Sequence, residues 1–376
     1  MSLDNNITKK IRIWDLPTRI YHWLQVVIVF AALLSGFFAP EWWLNYHIWI
    51  GYALIGLLVF RIVWGFFGSH YSRFISFVFS PKTLISHLNG IIKNKPLHFL
   101  GHNPLGAIMV FALIATLMGI IISGIVNLGG VENLGALAGF VDYAKGAFAG
   151  DIHKVLAFVL IALILFHLFG VVFESKIGKE NLTKAMLDGN KTLIANEAKP
   201  ELKSPLLLPA YISLGVLAIV LIAGYVGMSK VPASGFISMP LNGDYQSECS
   251  DCHMVYHPSL LPKKSWAIMM SDLENHFGED ASLDDETRDD IAAYLNSFSA
   301  ENWDSEVANK FLIIDEKSPE QITATPYWKL RHSKINKEIF KSKPVRTAAN
   351  CEACHKDAKT GRFDDVNIKI PKPKQL

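Results

Sequence analysis

Apolar residues gather in five long stretches that dominate the first 230 positions of the chain. Each stretch is close to the roughly 20 helical residues needed to cross the hydrocarbon core of a bilayer. The pattern predicts five transmembrane helices, with the first four forming a helix bundle and the fifth an additional anchor. The stretches cover residues 20–38, 46–67, 104–126, 152–173 and 206–228.

Polar residues prevail after position 230, and the apolar positions there recur at helical rather than strand spacing. Residues 266–277 and 284–298 are predicted helices, and the second opens with acidic residues suited to a helix N-terminus. The expected fold is an all-α membrane bundle joined to a mainly α, water-soluble domain. The predicted boundaries are 1–200 for the bundle, 201–230 for the anchoring helix and 231–376 for the soluble domain.

Basic residues fall in alternate connections between the spans. Lysine and arginine are retained on the cytoplasmic side of bacterial membranes, and the other connections hold only Lys145 as a base. We therefore expect a cytoplasmic N-terminus in the bacterial inner membrane, with residue 231 onward in the periplasm. The bases used are Lys9, Lys10, Arg12, Arg19, Arg73, Lys82, Lys93, Lys95, Lys176, Lys179, Lys184, Lys191, Lys199 and Lys203.

Composition agrees with this division. Hydrophobic residues make up 51% of the 376 positions, which is high for a water-soluble protein. Up to and including Lys230, the chain holds 18 Lys and Arg against 11 Asp and Glu, and the remainder holds 18 against 23. The soluble domain is therefore acidic. Neither part has the basic stripe of a nucleic-acid-binding protein, so we expect no nucleic-acid partner.

Two copies of Cys-x-x-Cys-His lie in the polar part and use all four cysteines of the chain. This spacing predicts covalent c-type haem, with two thiols for the vinyl groups and an adjacent axial histidine. A disulfide framework or a zinc site is the alternative, but zinc leaves the histidine after each second cysteine unexplained. Haem c is attached outside the cytoplasmic membrane, in agreement with the predicted orientation. The copies are Cys249, Cys252 and His253, and Cys351, Cys354 and His355.

Four histidines lie in or at the ends of predicted spans, where ionisable residues are costly and usually functional. His153 and His167 share the fourth span and are 14 residues apart, so they project from one face about 21 Å apart. Depth pairs His22 with His167 near the cytoplasm and His47 with His153 near the periplasm. Each pair is predicted to hold one b haem between two helices. For a single histidine, an interfacial position without a ligand role is the alternative.

The membrane part resembles the bacterial cytochrome b family that includes nickel–iron hydrogenase b subunits and superoxide oxidase. The resemblance covers roughly residues 11–190 and implies bis-histidine b haems and electron exchange with quinone, in a direction it does not decide. The matching runs are 14–23 (WDLPTRIYHW), 47–52 (HIWIGY), 60–65 (FRIVWG), 102–106 (HNPLG) and 180–186 (ENLTKAM).

Three further side chains are candidates for contact with quinone or a haem propionate. Arg19 lies at a cytoplasmic helix end, where a base needs no special role, whereas Arg61 lies deeper in the second span. His102 precedes the third span, where it can order the helix start or contact quinone. The other loop histidines are interpreted as ordinary solvated residues: His70, His87 and His98.

The second axial ligand of each c haem must come from elsewhere in the soluble domain. His276 lies 23 residues after His253, and His332 lies 23 residues before His355. These two histidines are the preferred distal ligands. His257 is a competitor, although it is tied locally to the same side as His253. The remaining competitors are methionines, two of which also fit an apolar helix face: Met254, Met269 and Met270.

The soluble part resembles the dihaem cytochrome c that is the partner of an oxygen-binding monohaem cytochrome. The resemblance covers most of residues 243–370 and implies two bis-histidine haems and transfer of electrons to a small soluble cytochrome. It leaves open which distal histidine serves which haem. The matching runs are 249–254 (CSDCHM), 260–262 (LLP), 275–283 (NHFGEDASL) and 350–356 (NCEACHK).

Together these patterns predict a membrane-bound electron-transfer protein with two b and two c haems, linking the quinone pool to a periplasmic cytochrome. Quinol:cytochrome c oxidoreductase activity is one form this function can take. The first alternative is a superoxide-oxidase-type enzyme, for which Lys154 beside His153 is the only obvious positive approach. The second is a hydrogenase or dehydrogenase anchor with reversed electron flow. The oligomeric state is not predicted.

Overall fold

The structure is a computed structural model of the full chain. It describes residues 10–93, 98–178, 180–192, 202–237 and 239–371. Four of the lysines used to predict the orientation lie outside these residues: Lys9, Lys95, Lys179 and Lys199. The described residues divide into two compact units: those within Met1–Ala39, Tyr46–Gly124 and Asp151–Gly224 form the first, and those within Pro40–Asn45, Ile125–Gly150 and Tyr225–Leu376 form the second.

The five predicted spans are confirmed as helices long and apolar enough to cross a membrane. They are five of the seven helices in the described residues of the first part of the chain, and the two short helices lie between them. In chain order the seven are α1 (Leu16–Phe37), α2 (Leu44–Phe67), α3 (Pro81–Ile92), α4 (Pro104–Gly130), α5 (Tyr143–Ile177), α6 (Leu182–Asp188) and α7 (Leu207–Met228).

Two helices begin earlier than the apolar pattern indicates. Helix α1 starts at Leu16 because Asp15 caps it, accepting a hydrogen bond from the Thr18 amide at 2.8 Å, and because Pro17 fits the first turn. Helix α5 starts at Tyr143 and runs for 35 residues, since helical backbone continues through polar residues at both ends of its apolar stretch.

The bundle in the first unit packs around aliphatic side chains from four helices. Val29, Leu54, Leu117 and Leu160 come from α1, α2, α4 and α5 and form one buried cluster. The outward faces of these helices carry exposed apolar residues, as expected of surfaces that contact lipid. The bundle architecture therefore follows directly from the hydropathy pattern.

A small antiparallel sheet, which the all-α prediction did not include, lies beside the bundle. Strand β1 (Lys10–Arg12) pairs with β2 (Asn190–Thr192), so the segment before α1 is joined to the segment after α6. Ile13 and Trp14 pack on Ala185 of α6 beside this sheet. Three-residue strands carry too little alternation to be recognised in a sequence.

The prediction that His87 is a solvated loop histidine is wrong. His87 lies on α3 and is fully buried, with its ring edge-on to Phe99 at a centroid distance of 5.4 Å. Helix α3 is amphipathic, and His87 lies on its inward face. The sequence did not indicate this burial because the chain on either side of His87 is polar. His98 is exposed and His70 is half-buried, as surface residues of this connection.

The C-terminal part of the second unit is built from short helices and 3-10 turns around three small cores. The cores gather Tyr245, Trp266 and Leu295, then Leu260 and Phe311, and then Ala300, Trp303 and Ala308. The helices are α8 (Gly243–Cys249), α9 (Lys263–Ser271), α10 (Asp285–Ser297), α11 (Glu306–Phe311), α12 (Pro326–His332) and α13 (Lys337–Lys341).

One predicted helix of this domain is shorter than expected and one agrees closely. Helix α9 ends at Ser271, and residues 276–279 form a tight turn in which Phe277 and Gly278 have left-handed backbone. The prediction of a helix through residue 277 is therefore wrong at its end. Helix α10 starts after Asp284, whose carboxylate caps it by accepting from the Thr287 amide at 3.0 Å.

Candidate haem sites

The first histidine pair joins α1 to α5. The rings of His22 and His167 have centroids 6.5 Å apart. The next residue, Trp23, stands edge-on to His22 and reaches α6 through a hydrogen bond from its indole nitrogen to the Met186 carbonyl. Two helices that are far apart in sequence thus present facing imidazoles at one depth of the bundle.

The second pair joins α2 to the other part of α5. His47 and His153 have ring centroids 6.1 Å apart. The Nδ1 atom of His153 lies 2.9 Å from the Ile120 carbonyl, to which it can only donate, and His47 Nδ1 lies 2.9 Å from Ser35 Oγ. A histidine whose Nδ1 is bonded in this way keeps Nε2 free to bind a metal.

Glycines make room for both rings of the second pair. A Cβ atom on Gly36 would lie 3.3 Å from His47 Cε1, and one on Gly124 would lie 3.1 Å from His153 Cε1. Both distances are shorter than ordinary van der Waals contact. A Cβ atom at either position would therefore require the neighbouring imidazole to shift by a few tenths of an ångström, and a larger side chain would require more.

Two further pairs lie in the C-terminal domain. His253 and His276 have ring centroids 6.1 Å apart, and so do His332 and His355. The Nδ1 atoms of His253 and His332 lie 2.7 Å and 2.9 Å from the carbonyls of Met254 and Trp328. The structure thus brings each histidine that follows a Cys-x-x-Cys pattern against the candidate distal histidine.

All four pairs fit the spacing of two imidazoles that bind one iron from opposite sides. For each imidazole, the metal–nitrogen bond is about 2.0 Å long and the nitrogen lies about 1.2 Å from the ring centre. Two such imidazoles on one iron therefore have centroids about 6.4 Å apart. The observed centroid distances lie between 6.1 and 6.5 Å. The residues present therefore fit bis-histidine haem at each site.

The four thiols are not joined in disulfides. Within the described residues, no three side chains of His, Cys, Asp or Glu converge as ligands for a metal ion. The Cys249 thiol is half-buried beside the core around Trp266, and burial raises its pKa to about 11.

Three of the four rival axial ligands have other structural roles. His257 is buried with its ring against Trp303, its Nδ1 atom is bonded to Ser259 Oγ, and burial lowers its pKa to about 4. Met269 and Met270 both pack in the core around Trp266. His257 thus stabilises the loop that follows the first haem motif.

The three candidate quinone or propionate contacts are all partly or fully enclosed by protein. Arg61 is buried, donates to the Ser72 carbonyl at 3.2 Å and lies over the Phe74 ring. Arg19 donates to a carbonyl near the end of α6. His102 lies against the rings of Trp14 and Phe77, tilted to both, and burial together with the Arg61 charge lowers its pKa to about 3.

A charged cluster that the sequence analysis missed lies beside His332. Arg331 forms ion pairs with Asp365 at 2.7 Å, Glu41 at 3.1 Å and Glu306 at 3.9 Å. Burial raises the pKa of Glu306, and Arg331 opposes that rise. The only signal in the sequence was an arginine directly before a candidate ligand, because its partners come from three separate segments of the chain.

Comparison with known protein families agrees with this geometry. Residues 13–189 match the model of prokaryotic cytochrome b561, and residues 245–363 match that of dihaem cytochrome c. The chain is a fusion of these two cytochromes. It is thus an electron-transfer protein of the cytochrome b561 type extended by a dihaem c domain.

Individual relatives cover about half of the fusion protein. A probable Ni/Fe-hydrogenase B-type cytochrome subunit of Cupriavidus necator is 22% identical over 211 residues, covering 48% of this chain and 86% of that protein. A probable Ni/Fe-hydrogenase 1 B-type cytochrome subunit of Escherichia coli K12 is also 22% identical, covering 48% and 90%.

Solved structures match the C-terminal domain. The diheme cytochrome c from Rhodobacter sphaeroides is 36% identical, with 33% of this chain and 98% of that chain covered, at a TM-score of 0.29. A diheme cytochrome c from Shewanella baltica is 32% identical, covering 35% and 95%, at a TM-score of 0.29. The families imply both b- and c-type haem for the fusion protein.

We expect loss of either histidine of a membrane pair to remove the same b haem. His22→Ala and His167→Ala should each reduce the extractable haem from two to one per chain, because the b haem would need both imidazoles of its pair as ligands. His47→Ala and His153→Ala should remove the other b haem. Acid–acetone extraction counts the haems, and low-temperature spectra identify which b haem is lost.

The control is His98→Ala, which changes an exposed histidine and should retain both b haems. All five variants should retain two covalent haems. If His22→Ala and His153→Ala lost the same spectral component, the pairing would be contradicted.

A side chain at Gly124 should displace His153 and deplete one b haem selectively. Forcing a side chain into a packed site typically costs about 1–3 kcal/mol, and here His153 must move to accept it. Gly124→Leu should therefore lower the content of the b haem that His153→Ala loses. Gly56→Leu is the matched control, since a Cβ there meets nothing within 4 Å. Equal haem loss in the two variants would argue against this tight contact.

Proposed function

We propose that the fusion protein passes electrons between the quinone pool and a periplasmic acceptor, most simply a small soluble cytochrome. In this proposal it lies in the bacterial inner membrane, with its N-terminus in the cytoplasm and the C-terminal domain in the periplasm. The positive-inside distribution of Lys and Arg supports this orientation. Export of the two Cys-x-x-Cys-His copies requires the same orientation.

One observation carries the proposal. A single chain presents two facing histidine pairs within its membrane helices and two more beside the Cys-x-x-Cys patterns. Bound at these pairs, two b and two c haems would supply reversible one-electron chemistry. The chain supplies the ligands, their spacing and their polar surroundings.

The residues that hold each group follow from the pairs. His22 with His167 and His47 with His153 would hold the b haems. The c haems would be attached through Cys249 and Cys252 with His253 and His276 as axial ligands, and through Cys351 and Cys354 with His355 and His332.

Quinone would bind at the cytoplasmic end of the bundle. Arg61 follows His47 on α2 at the same sequence spacing as His167 follows His153 on α5. Arg61 therefore projects from the same helix face as His47, about 21 Å along the helix. Its buried charge, with His102 nearby, offers polar contacts for a quinone oxygen or a haem propionate, and Arg19 offers a third.

The periplasmic acceptor would dock near His276. The residues beside this histidine are exposed carboxylates, only some of which are neutralised by Arg288. Such a field speeds encounter with a basic partner more than it strengthens binding. These residues form the acidic patch, which consists of Glu279, Asp280, Asp284, Asp285, Glu286, Asp289 and Asp290.

A second candidate function reverses the flow. The relatives of the membrane part are named as probable Ni/Fe-hydrogenase subunits, so an electron donor that docks on this chain to reduce quinone is an alternative. The superoxide-oxidase alternative has less support, because Lys154 lies 3.6 Å from Asp151, which lowers the local positive charge.

Addition of quinol to membranes should reduce the b haems and then the c haems. Arg61→Gln should slow this reduction by about tenfold or more, the effect of losing about 1.4 kcal/mol of transition-state or binding energy. Rapid-mixing spectroscopy with ubiquinol and menaquinol measures both steps. Failure of both quinols to reduce any haem would contradict the proposal, and His98→Ala is the unaffected control.

Electron transfer to the acceptor should slow as salt rises. Exposed charges are screened beyond a Debye length of about 10 Å at 0.1 M. Stopped-flow oxidation of the reduced protein by a basic cytochrome, across ionic strengths, measures the effect. Asp285→Asn with Asp289→Asn should flatten the salt dependence, whereas Asp315→Asn, a carboxylate outside the patch, should not. A rate that rises with salt would remove the patch from the proposal.

A further inference from the structure

Within the second compact unit, one c haem site is packed against the connections between the membrane helices. This unit contains Pro40–Asn45, which includes the first two residues of α2, and Ile125–Gly150, which includes the end of α4, the connection to α5 and the start of α5. The 3-10 turn Glu41–Trp43 packs against the turn Asp365–Asn367. The helix connections therefore belong to the same packed body as the C-terminal domain.

The residues that follow the turn Asp365–Asn367 are joined to the second haem motif by backbone contacts. Ile368 follows the turn and forms a backbone bridge with His355. The amide of Lys369 donates to the Cys354 carbonyl at 2.8 Å. The Glu41–Trp43 turn is thus one short segment away from a candidate axial ligand and its neighbouring cysteine.

Arg331 adds a charged link at the same place. It directly precedes His332, and its guanidinium contacts Asp365 and Glu306 of the C-terminal domain as well as Glu41 of the helix connection. Glu132, from the connection between α4 and α5, accepts a hydrogen bond from the Asp365 amide at 3.2 Å. Without the arginine, these carboxylates would repel one another.

Further polar contacts join the range Ile125–Gly150 to neighbouring parts of the C-terminal domain. The Tyr143 amide donates to Asp304 at 2.9 Å, and Arg362 donates to the Asn133 carbonyl at 3.2 Å. Covalent connectivity then limits one distance to the membrane sites. Trp43 and His47 are separated by only four peptide units, so their Cα atoms lie within about 14 Å.

We propose that the site of Cys351, Cys354, His332 and His355 exchanges electrons with the His47–His153 site, and that Arg331 positions it against the helix connections. The inference rests on the proposed function and adds the order of the two c sites. The His253–His276 site, beside the acidic patch, is then the outward one. Each exchange moves one electron from donor to acceptor and makes or breaks no bond.

The contact with Glu41 can be tested without any quinol. Glu41→Gln removes a negative charge close to Arg331 and should raise the midpoint potential of one c haem only, since a nearby anion favours the oxidised state. Spectroelectrochemistry measures both c potentials. The shifted haem should be the one missing from the variant Cys351→Ala with Cys354→Ala.

Asp142→Asn is the matched control, because Asp142 is a carboxylate in the other helix connection that pairs with Lys145. It should leave both c potentials unchanged. An absent shift in Glu41→Gln, or a shift in the His253–His276 haem, would overturn the proposal.

The order of the sites has its own test. Removing the second site with Cys351→Ala and Cys354→Ala should slow reduction of the remaining c haem by the b haems at least tenfold. Removing the first site with Cys249→Ala and Cys252→Ala should leave reduction of the second site at its original rate. The reverse result would overturn the order. Arg331→Gln should slow the same step with haem content unchanged, whereas Arg331→Lys, which keeps a positive charge among these carboxylates, should retain most of the original rate.

The two proposals fail in different ways. If no quinol reduces the wild-type protein, the proposed function is wrong, yet the potential shift in Glu41→Gln still measures the contact. If quinol reduces the b haems but the two c haems are reduced in the opposite order, only the inference about the order of the c sites is wrong.

Discussion

Facing imidazoles with ring centroids 6.1 to 6.5 Å apart are the constraint on which the rest of this structure depends. In the membrane part, such rings are held by helices, which satisfy their backbone polar groups within each segment, as lipid surroundings require. One long helix, α5, contributes to both membrane pairs, while α1 and α2 each contribute one histidine. In the C-terminal domain, the same spacing is achieved by turns and short helices around small cores.

Much of this arrangement could be predicted because its signals lie within short stretches of the sequence. Apolar stretches identify the five long helices, and the position of each histidine within its stretch indicates its depth. The spacing of Cys249, Cys252 and His253 is diagnostic within a single short motif. These features need no knowledge of which segments meet. The geometry then adds the ring distances, which no pattern of residues provides.

The features that were missed all depend on contacts between distant segments. The pairing of β1 with β2 joins the segment before α1 to the segment after α6 through very short strands. His87 is buried against residues such as Phe99 from another segment, and polarity alone suggested exposure. The Arg331 cluster draws on Glu41, Glu306 and Asp365, each ordinary among its neighbours in sequence. Charge identity is visible in a sequence, but charge pairing is not.

The unbroken course of α5 places an unusual demand on the chain between its two histidines. Each residue of an α-helix turns the next by about 100°. A single inserted or deleted residue between His153 and His167 would therefore swing one ring away from its partner, while the helix itself remained intact. Many substitutions on the lipid-facing side would leave both rings in place. Between these two positions, the number of residues matters more than which residues they are.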